Sequence, residues 1–192
     1  ADKKNSANSY ALVLETFIII GSSILVLVVV SLDVLKVIFI GDPEYWQAMY
    51  IVPIILLANF CLGIYQNLSV WYKVTDKTKF AAYISSLGAI ITLLLNIILI
   101  PKFSYLGSAI ATLSAYFTMA LLSYYFGKKH YPIPYDLQKI LFYLVLSISL
   151  SSISFYGFRD NLLVGISCVL IMNLVILLKE KRRIINLLKL IR

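Results

Sequence analysis

Histidine occurs once and cysteine twice in these 192 residues, and only 14% of them are charged. One histidine leaves little room for general acid–base chemistry, and no Ser/His/Asp set, paired carboxylates or metal-ligand cluster accompanies it. His130 reads as a solvated residue of a basic loop, beside Lys128 and Lys129 and flanked by Pro132 and Pro134. A metal site needs several clustered ligands, so none is expected there. Cys61 and Cys168 lie in different apolar runs without metal-type spacing, which predicts free, inert thiols acting as small hydrophobes. No catalytic residue, metal or cofactor is expected. The shortage of charge, against about 25% in ordinary globular domains, excludes a water-soluble fold. Also lacking are an initial Met and a signal-peptide cleavage site: the chain begins ADKKNSANSY and reads as an internal start, hence a fragment.

What is present is apolar. The chain is 61% hydrophobic with a mean hydropathy of +0.91. Six runs approach the ~20 residues that span a bilayer core: 11–32, 48–71, 80–100, 105–126, 140–158 and 162–178. They are continuous rather than alternating, which favours helices over barrel strands and predicts an all-α, polytopic membrane bundle. The net charge of +8 is explained by topology, because all but Lys36, Lys102 and Arg159 of the 17 basic residues fall on the side that holds both termini. By the positive-inside rule that side is cytoplasmic, and a nucleic-acid partner is excluded. Trp46, Trp71, Tyr105, Tyr131 and other aromatics mark the span ends, where amphipathic rings favour the interface.

Polar residues inside the runs mark faces turned to protein or water. In the second run Asn59, Gly63, Gln66, Asn67 and Val70 stack on one side of a helix. In the third, Ser85, Gly88, Thr92 and Asn96 repeat the pattern. Hydrogen bonding between helices and the lining of a cavity leave the same trace, so both readings stand. Pro53 is placed to kink the second span. Glu15 is the one carboxylate within an apolar run, and its place near the cytoplasmic end predicts a hydrated, interfacial position rather than an ion relay. The small residues from Gly107 to Ala115 predict a closely packed, enclosed fourth helix whose hydroxyls bond across helices. The serines from 147 to 154 show no helical period, and the fifth and sixth spans read as peripheral. Residues 1–178 form the transmembrane unit, and the tail 179–192 puts Ile184, Leu187, Leu188 and Ile191 on one side, as suits a basic helix on anionic headgroups.

"IGDPEYWQA" (40–48), "NLSVWYKVTDKTKF" (67–80) and "NIILIPKFSYLGSAIATLSAYF" (96–117) resemble the carboxy-terminal half of bacterial polysaccharide flippases of the multidrug/oligosaccharidyl-lipid/polysaccharide exporter superfamily. The match falls at Gly41 and Tyr45, Asn67, Lys73 and Lys77, Asn96, Pro101, Phe103, Gly107 and Thr112, over roughly residues 10 to 130. Where the family often has Phe-Gly after the proline, this chain has Phe103-Ser104. The resemblance implies one lobe of a two-lobe transporter that flips polyprenyl-pyrophosphate-linked oligosaccharide across the bacterial cytoplasmic membrane by alternating access. The amino-terminal lobe would then be a missing partner. Asn59, Gln66, Asn67, Thr92 and Asn96 would line the substrate pathway, and Lys73, Lys77 and Lys79 would meet the pyrophosphate or simply lipid headgroups. The alternatives are a cation-coupled multidrug exporter, for which an acid pair in the membrane would be diagnostic, and a membrane-embedded polymerase or acyltransferase.

Overall fold

In hydrocarbon a backbone has no water to bond, so each apolar run closes its own N–H to C=O bonds as a helix. The computed structural model describes the backbone of residues 2–40, 42–159 and 161–191, and the side chains of 5–40, 42, 46–159 and 161–181. α1 (Asp2–Phe39) leads through a 3-10 segment (Pro43–Ile51) into α2 (Val52–Leu68) and the short α3 (Val70–Val74). α4 (Lys79–Phe103), α5 (Tyr105–His130), α6 (Leu137–Ser152) with a π-helical turn (Ile153–Gly157), and α7 (Leu162–Ile191) follow, and there is no strand among the described residues. Six stretches are long and apolar enough to cross a membrane: Asn5–Phe39, Trp46–Val74, Lys79–Phe103, Tyr105–His130, Leu137–Gly157 and Leu162–Lys181. Each overlaps one of the six expected runs, most extending beyond it by a few residues and the first by six and seven at its two ends, and the chain is an all-α, multi-pass membrane bundle. α7 continues unbroken past residue 178 to Ile191. Which way Ile184, Leu187, Leu188 and Ile191 face lies outside the described side chains.

α5 is packed against α4 on one side and α2 on another, while α1 packs against α2, α6 and α7. Leu14, Ile18, Ile64, Tyr143 and Met172 meet in one buried cluster that joins α1, α2, α6 and α7. Phe17 of α1 seats against Gly63 of α2, and Phe60 of α2 against Gly21 of α1, so that any added Cβ would meet the opposing ring. The two rings lie 5.7 Å apart.

α5 is enclosed on two sides, with Ala109, Ala111 and Ala115 buried but Phe117, Leu121 and Tyr125 exposed. Its hydroxyls differ from expectation: Thr112 donates to the Ser108 carbonyl at 2.9 Å and Ser114 to the Ile110 carbonyl at 2.8 Å, within their own helix. Such back-bonding satisfies a hydroxyl locally without any neighbour. The peripheral spans are α4 and, as expected, α7, whose apolar windows are 11% and 17% buried; α6, at 39%, is not peripheral. The serines of α6 do have a period. Ser147, Ser151 and Ser154 join Ile140, Tyr143 and Leu150 on a buried face, while Ser149 and Ser152 are exposed. Ser22, fully buried on α1, donates to the Tyr143 carbonyl at 3.4 Å, so small polar residues let α1 and α6 approach closely.

The segment around Pro101 is a tight turn, as expected, but the proline does not end its helix. α4 runs through Pro101 to Phe103, and Ser104 alone, at φ 52° and ψ −132°, connects it to Tyr105 of α5. Gly107 is required by close approach: a Cβ there would lie 2.6 Å from the Leu99 carbonyl carbon and oxygen.

Candidate functional site

α2 places Asn59 and Gln66 on its exposed side, with Ile55 between the 3-10 segment and Asn59 on the same side. Asn59 Nδ2 donates to the Ile55 carbonyl at 3.0 Å. Asn67 is half-buried beside Gly63 and donates to the Gly63 carbonyl at 2.9 Å. On α4, Thr92 and Asn96 are half-buried; the Thr92 hydroxyl donates to the Gly88 carbonyl at 2.9 Å. The Asn96 amide oxygen is buried without a hydrogen-bond partner. α5 lies between the two helices, so the stripes flank it rather than touch as a pair. Lys73, Lys77 and Lys79 cluster around the α3–α4 turn, all exposed, and belong to no ion pair among the described residues.

Two charge clusters at opposite ends of α1 complete the polar inventory. Near its start, Lys139 of α6 reaches Glu15 of α1 at 3.5 Å and Glu180 of α7 at 2.8 Å, and the Tyr143 hydroxyl donates to Glu180 at 3.2 Å. The Glu180 side chain is 9% exposed, and the cluster opens into a cleft of about 520 Å³. Asp136 caps α6, accepting from the Lys139 backbone N–H at 3.1 Å, and so fixes where the Lys139 side chain begins. Glu15 is therefore an ion-paired interhelical residue, not merely a hydrated one. Glu180 escaped the sequence reading because it opens the basic tail. The signal was there in the ridge Gly165, Cys168, Met172, Ile176 and Glu180, buried but for the half-buried Ile176, whose steps of three and four place the acid on the core face.

At the other end, Asp33 accepts from Arg159 through Nε at 3.2 Å and Nη2 at 2.9 Å, and also pairs with Lys36. Arg159 lies 4.9 Å from the Tyr50 ring centroid and 4.5 Å from that of Phe155, and Lys36 lies 5.0 Å over Trp46. Hydrogen bonding to Asp33 raises the Arg159 guanidinium above its ordinary value. A cleft of about 370 Å³ lies beside the cluster, lined by both Asp33 and Arg159.

His130 is not a solvated loop residue. It is the last residue of α5, stacked on Trp71 with ring centroids 5.3 Å apart, and its Nδ1 lies 2.9 Å from the Phe126 carbonyl. Trp71 is 1% exposed and donates to the Ser123 carbonyl at 3.0 Å, so it is a packing anchor and not an interfacial ring. Cys61 and Cys168 are free and buried. No protein-family model, no curated protein and no solved structure matches the chain.

Proposed function

We propose that this chain forms most of one lobe of a transporter that moves lipid-linked oligosaccharide across the bacterial cytoplasmic membrane, with both of its ends on the cytoplasmic side. One observation carries the reading: Asn59, midway along a membrane-length segment, and Gln66, two turns further on, stand exposed instead of being spent on contacts between helices. Hydrocarbon cannot satisfy an amide, and an unbonded polar group there costs several kcal/mol. That face therefore requires water, substrate or a second lobe. Thr92 and Asn96 on the far side of α5 would add donors and acceptors for sugar hydroxyls, and the exposed Lys73, Lys77 and Lys79 would meet a pyrophosphate through charge-assisted bonds.

The test is translocation of a fluorescent polyprenyl-pyrophosphate oligosaccharide by the full-length protein in proteoliposomes. Flux is expected in the native protein and is expected to fall about tenfold in N59L/Q66L, which replaces both outward amides. Absence of flux in the folded native protein overturns the reading. Cation-coupled export is the second reading, and the acid pair Glu15 and Glu180 around Lys139 favours it. A proton or sodium gradient that drives efflux of a small cationic dye, with no movement of lipid-linked sugar, selects that reading instead.

A further inference from the structure

A groove of about 270 Å³ runs between α5 and α6, floored by α1 and α2, and every lining atom open to it is apolar. Its α5 wall is Phe117, Leu121 and Tyr124, and its α6 wall includes Leu137, Leu141 and Leu144. The α5 wall follows steps of four and three residues, and the next step of four along the same stripe is Lys128, exposed and in no ion pair among the described residues. The segment from Gly127 to Pro134 holds no acid, and the next carboxylate in the sequence, Asp136, caps α6. Tyr135 closes the groove at this end; its ring lies 6.3 Å from that of Tyr124, and its hydroxyl is buried without a partner.

We infer that this groove holds one acyl chain of an anionic membrane phospholipid, whose phosphate is met by Lys128 beyond the end of the α5 wall. The two halves of the ligand are matched separately: an apolar slot for the chain, and one turn beyond it on the same stripe an exposed cation for the phosphate. A cation near a membrane surface contributes about 1 kcal/mol toward anionic lipid. The inference does not rest on the transport reading, because the groove lies on a different face of α5 from α4.

The full chain, delipidated in detergent, is mixed with phosphatidylglycerol or with phosphatidylcholine of identical acyl chains, and lipid retention is read by native mass spectrometry. The native protein is expected to retain the anionic lipid about fivefold over the zwitterionic one. K128Q brings the two close to parity, K129Q, which alters the adjacent cation off the stripe, leaves the preference intact, and L141W, at the exposed rim, lowers retention of both lipids. Equal retention by the native protein, an equal effect of K128Q and K129Q, or unchanged retention in L141W with helical content preserved each overturns the inference.

Discussion

The α1–α6–α7 half and the α4–α5 half of this bundle are held together by different physics. In the first, α1 is pinned near both ends to the α6–α7 hairpin, by one base between two acids at Lys139 and by one acid between two bases at Asp33. Buried serines fill the interval between those clusters. In the second, α4 leans on α5 through a one-residue turn and the close backbone approach that Gly107 permits by lacking a Cβ, with no ion pair between them among the described residues. Stability of the first half should therefore respond to charge, and that of the second to volume.

The sharpest break in that contrast is Lys139→Met, which strands Glu15 and the buried Glu180. Removing one partner of a buried pair costs about 3 kcal/mol, and thermal unfolding in detergent should register it, with E15Q/K139M/E180Q recovering most of the loss. Gly107→Ala forces a methyl group against the Leu99 backbone, and such overpacking costs about 2 kcal/mol. Its cost should be indifferent to salt, whereas that of K139M should not. Asp33→Asn loosens the more exposed cluster by about 1 kcal/mol, since its carboxylate is 37% exposed and screened. The smallest change is of opposite sign. Ser104→Gly relieves a positive φ and should stabilise the α4–α5 turn by about 1 kcal/mol, visible as slower hydrogen exchange across residues 100–108.

The six spans were legible because bilayer thickness imposes a length on every apolar run, and no packing detail can alter it. The turn at Ser104 was legible for a similar local reason, although helix continuation through Pro101 was not, since a proline late in a helix disturbs only the preceding turn. That α4 rather than α6 joins α7 at the periphery was hidden. α4 and α6 have comparable hydropathy, and only contacts distant in sequence decide which is covered. The Glu15–Lys139–Glu180 cluster was half legible, as one acid in one span; its base stood outside the apolar runs, and its second acid at the edge of a basic tail. His130 and Trp71 were misplaced because an aromatic at a span end is compatible with both the interface and an interhelical stack.

The reciprocal seating of Phe17 on Gly63 and Phe60 on Gly21 bears on any motion in this bundle. Each ring is seated against a glycine of the opposite helix, so sliding one helix along the other would move both aromatics at once off the positions where no side chain opposes them. The first two spans are keyed like a bayonet mount, and whatever rearrangement the protein undergoes must carry them as a single rigid strut.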